Sequence, residues 1–381
     1  MARIIGFTVH GLAGREQPYS ARLQEDVNVF FGINGSGKTT LLKILHSSLS
    51  TDASTLEGLP FKSAEEDVYL NRHEAVFRRR FAQPEEPPNE PPTGTGTLTF
   101  RTLIQTQSER LKWISEPAEP DGPRLTSYTR GYLPITRLYR AVGTQTSGAR
   151  TISEDELDAR FAAEVQRRWT DYQADVSTRI AEVQGEGLAK ILHLVLSGED
   201  EDKEVDTSTE IGNAYERVSA FLGRQEGFND VLDSRQDFEV KYRTQPRIKS
   251  IVKQIDLVEK RIEKVNAPLD SFKRLVESMY SGNKKLVFGE KDITIEISTN
   301  TKIKLPSLSS GEKQLFFIAF EAIRSGNSSI IIDEPELSMH VDWQRKLITS
   351  LRELNPRMQL IMATHSPEIM ADLQDEKIFG L

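Results

Sequence analysis

Residues 32–39 read GINGSGKT and meet the spacing G-x-x-x-x-G-K-[ST] at every fixed position. Glycines at 32, 35 and 37 let successive backbone N–H groups turn inward around an anion. A helix starting at this point adds the positive end of its dipole. Lys38 is long enough to reach the β- and γ-phosphates of a nucleoside triphosphate, and the Thr39 hydroxyl is placed to ligate Mg²⁺. A phosphate cradle is the chemistry on offer, provided that a strand precedes it and a helix follows.

Three more stretches carry chemistry near the other end of the chain. In IIIDEPE, Asp333 and Glu334 follow an isoleucine run, so one carboxylate can bind magnesium and its neighbour can polarise an attacking water. In LSSGE, Ser309, Ser310 and Gly311 open an apolar helix expected to begin near Glu312, and such a helix start is a second anion site. One nucleotide's phosphates are already cradled by residues 32–39. The second site is therefore expected to serve a nucleotide held by another subunit. In THSPE, His365 ends an apolar strand, where its imidazole could report on a γ-phosphate.

Strands and helices must position these groups. RIIGFTVHGL and EDVNVFFG read as two strands leading into the glycine cluster, and Leu41, Leu42, Ile44, Leu45 and Leu49 keep helical spacing after it, with Thr39 and Thr40 in the first turn. AQPEEPPNEPPTGTG is too rich in Pro, Gly and Glu to pack and reads as an exposed loop. TLTFRTLIQ, RLKWISE and GYLPITRLY read as strands, the first two as a hairpin.

From about Gln145 to Ser281 long helices are expected. Leu157, Phe161, Val165, Trp169, Tyr172, Val176, Ile180 and Val183 form one stripe. Ile248, Ile251, Ile255, Val258, Ile262, Val265, Leu269, Phe272, Val276 and Met279 form a stricter heptad row, which Pro268 should kink. Between the stripes, GEDEDKEVD reads as a solvated acidic loop. SSIIIDE and MQLIMATH are continuous apolar runs of the kind buried on both faces of a parallel sheet, and helices between and after them suggest a doubly wound α/β arrangement. The expected divisions are an N-terminal lobe over 1–144, a helical, coiled-coil-like insertion over 145–281 and a C-terminal lobe over 282–381.

Composition narrows the classes. The 381-residue chain has no cysteine, which removes disulfides, thiolate nucleophiles and cysteine metal sites, and a formal charge of -8, which gives no global attraction to nucleic acid. DNA contact would need a local basic face, for which Arg78–Arg80, Lys284 with Lys285, and Arg247 with Lys249 are candidates, although each reads more simply as a solvated charge cluster. No apolar run approaches the roughly 20 residues that span a bilayer, and the N-terminus lacks the apolar core of a secretory signal. A cytoplasmic location with no membrane contact is expected.

The order of phosphate loop, LSSGE, IIIDEPE and THSPE resembles the ATP-binding-cassette (ABC) ATPases. Within them it looks most like the soluble RecF/SMC-related branch, which includes the ATPase half of OLD-family proteins and AAA_21-type ATPases of bacterial anti-phage systems. The likeness covers residues 1 to about 50 and 281 to 381, and rests on topology in between. It implies an α/β P-loop NTPase fold, an ABC-type head with a mixed or parallel sheet and an inserted helical subdomain, and ATP and Mg²⁺ as cofactors.

The resemblance also assigns roles. It implies a Walker A motif at Gly32, Asn34, Gly35, Ser36, Gly37, Lys38, Thr39 and Thr40, a signature at Ser309, Ser310 and Gly311, and a Walker B magnesium ligand at Asp333 beside Thr39. Glu334, His365 and Lys38 would be catalytic, and Ser338–His340 would form the D-loop. There are departures: the signature reads LSSGE instead of LSGGQ, His340 stands where transporters usually carry Asp, and Arg137 occupies the region where a glutamine is expected. The implied active unit is a head-to-tail homodimer, or a higher oligomer, that sandwiches ATP and opens on hydrolysis. No nuclease module is expected past Leu381. A sensor or regulator of a separate anti-phage effector, such as a nuclease or toxin, is the leading expectation. An SMC-like clamp for DNA repair and the energising subunit of a membrane transporter are the alternatives.

Overall fold

A computed structural model of the chain describes residues 2–49, 53–71, 74–83, 113–117, 132–134, 153–197, 211–223, 234–279, 284–289, 292–297 and 301–381. Most of the expected loop AQPEEPPNEPPTGTG, the strand TLTFRTLIQ with its hairpin, Arg137 and the acidic stretch GEDEDKEVD lie outside these residues. The chain divides into two compact units, Met1–Gln166 with Ser271–Leu381, and Arg167–Asp270.

In the first unit, strands β1 (Ala2–His10) and β2 (Tyr19–Arg22) precede β3 (Val27–Phe31), and helix α1 (Lys38–Ser48) follows the glycine loop. Then come β4 (Ser63–Leu70), β5 (Ala75–Ala82), β6 (Ile114–Pro117) and β7 (Tyr132–Pro134). The helices α2 (Glu154–Ser197), α3 (Ile211–Gly223), α4 (Arg235–Thr244) and α5 (Pro246–Met279) lead to β8 (Lys284–Phe288), β9 (Ile293–Ile297) and β10 (Thr301–Lys304). The chain closes with α6 (Ser310–Arg324), β11 (Ser329–Asp333), α7 (Val341–Leu354), β12 (Gln359–Thr364), α8 (Pro367–Met370) and β13 (Ile378–Gly380).

A five-stranded sheet in the order β13-β3-β12-β11-β7 is parallel throughout. All residues of β11 and β12 are buried, as their unbroken apolar runs require of strands covered on both faces. An antiparallel sheet, β2-β1-β4-β5-β6, lies on the other side of α1. Ile4, Phe7 and Val9 of β1, Leu41, Leu42, Ile44 and Leu45 of α1, and Ile331, Ile361 and Ala363 of the parallel sheet share one core. The phosphate-loop helix is therefore clamped between two sheets. A third, three-stranded sheet runs β10-β9-β8, and Phe272 of α5 packs edge-on to Phe288 of β8 and Phe316 of α6.

In the basic run on β5, Arg78 and Arg80 are exposed as expected of solvated charges, whereas Arg79 is buried. Arg78 pairs with Asp67 at 2.9 Å and Arg80 with Glu65 at 3.3 Å on the outer face. Arg79 turns inward, with its guanidinium 5.5 Å from the Trp113 ring centroid and its register partner Glu66 buried beside it. Burial pushes the Glu66 carboxyl up to about 8, against the opposing pull of Ser48 and Arg79. Strand alternation explains the split, because period-2 geometry sends the middle residue of three to the core.

In the second unit, α2 and α5 run antiparallel: a Cβ on Gly187 would collide with Val258, Arg261 pairs with Glu186 at 2.8 Å, and the Asp270 charge bears on the Tyr172 hydroxyl. Trp169, Tyr172, Val176 and Val183 of the first stripe are buried, as are Ile255, Val258, Ile262 and Leu269 of the second. Ala214, Val218, Phe221, Phe238 and Tyr242 from α3 and α4 join Val183 and the α5 residues in a core of this unit's own. Helix α5 runs on through Pro268.

Candidate nucleotide site

Parallel register sets the site. Phe31 of β3 pairs with Thr364 of β12, and Ala363 of β12 with Asp333 of β11. The loops that follow carry Lys38, His365 and Glu334, and all three leave the sheet at one edge, the carboxyl edge where open α/β sheets bind ligands. Strand β12 separates the lysine's strand from the acid's.

The loop is built as its sequence demands. Gly35 and Gly37 have φ of +83° and +101°, the left-handed region that glycine enters freely. A Cβ on Gly32 would run into the Leu381 carbonyl oxygen and come within 2.8 Å of the Ser36 hydroxyl. The buried Lys38 ammonium donates to the carbonyl oxygens of Gly32 at 2.9 Å and Ile33 at 3.1 Å, so it curls back over the loop it should serve. Burial lowers its proton affinity, opposed by the charges of Glu334, Asp333 and Glu336.

Asp333 is 2% exposed, and the Thr39 hydroxyl hydrogen-bonds its carboxylate. Burial pushes this acid up to about 6; the neighbouring Glu334 charge adds to that, while Thr39, Lys38 and Lys43 oppose it. Its Oδ1 is buried without a hydrogen-bond partner, as is the Ser36 hydroxyl. A buried acid oxygen with no donor, beside a threonine hydroxyl at the mouth of a phosphate loop, fits a Mg²⁺ that completes its shell with phosphate and water. Among the described residues no three acids or histidines converge into a metal cage.

Glu334 has φ of +50°, an uncommon conformation for a residue with a side chain, and its N–H donates to the Ala363 carbonyl at 2.8 Å. This aims its carboxylate off the end of β11, where the oxygen lies 3.6 Å from His365 Nε2. Both side chains are partly open to solvent, as groups meant to meet a substrate and a water should be.

The residues 309–311 are held differently. Ser309 caps α6 with a reciprocal box: its hydroxyl accepts from the Glu312 N–H at 3.3 Å and its own N–H donates to the Glu312 carboxylate at 2.7 Å. Ser310 is exposed. Gly311 is buried, and a Cβ there would collide with the Ser338 carbonyl. Gln314 donates to the Pro335 carbonyl at 2.7 Å. The tip of α6 thus leans on the loop 335–340 that follows Glu334. His340 caps α7, its Nδ1 accepting from the Asp342 N–H at 3.3 Å.

Sequence reading missed three residues at this edge. Glu336 accepts the His365 backbone N–H at 2.6 Å, and Gln344 of α7 accepts from the Ser366 hydroxyl at 2.7 Å while donating to the Met339 carbonyl at 2.9 Å. Glu336 stood in plain view within IIIDEPE. Gln344 and Ser366 had no signal, because only folding brings them together.

Comparison with known proteins follows the same line. Residues 201–371 match the family described as "AAA domain, putative AbiEii toxin, Type IV TA system". The chain is similar to "Retron Vc95 probable ATPase" of Vibrio cholerae serotype O1 biovar El Tor, 29% identical over 100 residues, covering 23% of this chain and 19% of that protein. It is also similar to "Retron Ec83 probable ATPase" of Escherichia coli, 26% identical over 123 residues, covering 28% of this chain and 22% of that protein. The chain spans about a fifth of the length of these curated relatives. Two solved SMC heads overlay on it. One is from Pyrococcus furiosus, with an extended coiled coil and bound to the C-terminal domain of ScpA (15% identity, TM-score 0.41, covering 97% of this chain and 92% of that one). The other is the head domain from Thermotoga maritima (14%, 0.41, 99% and 94%). In its family match and the order of its loops, the chain is similar to ATPases of the AAA_21 type.

Proposed function

We propose that this chain binds and hydrolyses ATP at the carboxyl edge of its parallel sheet, and that two copies close head to tail around the nucleotide. The observation that carries the catalytic part is the convergence of Lys38, Thr39 and Asp333 around a buried carboxylate oxygen with no donor. Lys38 would leave the Gly32 and Ile33 carbonyls for the β- and γ-phosphates, and the glycine-rich backbone would enclose them. Bound Mg²⁺ would neutralise charge on the transferring phosphoryl group, held by Thr39 and Asp333. Glu334 would accept a proton from the attacking water, with His365 positioned beside it to follow the γ-phosphate. Dimer closure is supported by Ser310 and Gly311 at the tip of α6, a helix start whose backbone donors suit a phosphate.

The reading extends to a switch: ATP bound across two subunits holds them together, and hydrolysis releases them. The helical segment over 145–281 would carry that change to a separate effector, such as a nuclease or toxin, in anti-phage defence. The relatives named as retron ATPases support this direction. An SMC-like DNA clamp is less favoured, because Arg78 and Arg80 already pair with acids and Arg79 faces the core.

Phosphate release in MgATP tests the catalytic part. Lys38→Ala should abolish nucleotide binding. Glu334→Gln should bind ATP with wild-type affinity, lose at least about 100-fold in turnover, and elute as an ATP-dependent dimer. Undiminished turnover in Glu334→Gln would remove that residue from the chemistry, and a monomer at saturating ATP would remove the sandwich.

A further inference from the structure

Glu336 has no place in the hydrolysis scheme above, yet its setting is unusual. Its Oε1 accepts the His365 backbone N–H at 2.6 Å, joining positions 29 apart in sequence. Its Oε2 is buried with no partner. A buried carboxylate oxygen left without a donor opposes folding, so this side chain is not explained by stability alone. The bond it does make is a charge-assisted one, from a backbone amide to a carboxylate, which is shorter and stronger than a neutral pair. It lands on the amide of the residue whose imidazole faces Glu334 at 3.6 Å.

The turn after β12 is gripped from a second side. The Ser366 hydroxyl donates to the Gln344 carboxamide at 2.7 Å, and the Gln344 amide donates to the Met339 carbonyl at 2.9 Å. Residues 365 and 366 are therefore tied to 336 and 339, all on the loop that leaves β11 behind Glu334. A backbone held at two points fixes the Cα from which the His365 imidazole reaches toward the acid.

We propose that Glu336 is a positioning residue for hydrolysis: through the His365 backbone amide it fixes the imidazole of His365 against the Glu334 carboxylate. The proposal rests on the ATPase reading and adds to it. It predicts that removing the acceptor slows turnover while leaving nucleotide binding alone. It also predicts that the effect passes through His365.

The test compares Glu336→Ala, Glu336→Gln, His365→Ala and the double variant Glu336→Ala/His365→Ala in steady-state MgATP hydrolysis by the full chain, with melting temperature recorded for each. Glu336→Ala should lower kcat about 10- to 100-fold with KM within about twofold. Glu336→Gln keeps a carbonyl acceptor for the His365 N–H and should recover most of that loss. In the His365→Ala background, Glu336→Ala should cost no more than about a further twofold, because two residues acting as one unit are not additive. Equal loss in Glu336→Gln and Glu336→Ala, full additivity in the double variant, or a wild-type rate in Glu336→Ala would each overturn the proposal. Absence of hydrolysis by the wild-type chain would overturn the ATPase reading itself, and the positioning role with it, so the two failures are distinct.

Discussion

Asp333 carries a burden that the proposed Mg²⁺ role would explain. Its carboxyl, raised to about 6 from an ordinary value of 3.8 by burial, holds its proton more tightly in the folded chain than in the unfolded one. Without nucleotide, that difference removes stability as pH rises from about 4 through 6, and the loss is complete above 6, reaching about 3 kcal/mol by the usual conversion of pKa shift into free energy. Asp333→Asn should therefore raise the denaturation midpoint of the nucleotide-free chain at pH 8, show little gain at pH 4, and abolish hydrolysis. Denaturant titrations at the two pH values check the sign. Much at this scale was legible: the lysine, threonine and acids of the site announce themselves by spacing. Glu336 was visible but mute, since nothing in a sequence says which backbone amide a carboxylate will reach. Arg79 misled for a related reason, because one basic triplet on a strand contains both outward and inward positions.

At the scale of elements, α6 is the part whose two faces do different jobs. Lys313 is buried and pairs with Asp158 of α2 at 2.7 Å, while Phe317 packs on Phe161, so one face grips the root of the long helix. The tip leans on the loop 335–340 through Gly311 and Gln314. Gly311→Ala places a methyl against the Ser338 carbonyl, backbone against backbone, where neither side yields easily. It should destabilise the chain by about 1–3 kcal/mol, read in denaturant melts, and also prevent ATP-dependent dimerisation. Ser310→Arg, at an exposed position one residue away, should leave stability within about 0.5 kcal/mol and block closure alone. If Ser310→Arg dimerises normally with ATP, the tip of α6 does not face a second copy. Periodicity exposed the apolar body of α6 in the sequence, and the capping box of Ser309 and Glu312 could be read there too. The contact between Gly311 and Ser338 could not, since it joins segments separated by a whole strand.

For the whole molecule, two units with separate cores imply separable stabilities. Gly187 meets Val258 where α2 and α5 pack closest, and Gly187→Leu should pry them apart. We expect a lower melting transition for the Arg167–Asp270 unit with the ATP dissociation constant unchanged within about twofold, by calorimetry and nucleotide titration. A parallel loss of nucleotide affinity would show that the units melt as one. The sequence disclosed the helical stripes of this unit through their three-and-four spacing, and their buried residues follow it closely. Helix α5 stays one continuous element across Pro268, the position at which the sequence marks a kink.

The strand order has one last consequence. Because β12 stands between β3 and β11, Lys38 and Glu334 hang from strands two steps apart, about 10 Å by the ordinary spacing of a sheet. That gauge is cut into the backbone ladder and owes nothing to the loops. The excursion between β7 and β11 leaves and re-enters on neighbouring strands at the sheet's edge, so its length does not alter the span between Lys38 and Glu334.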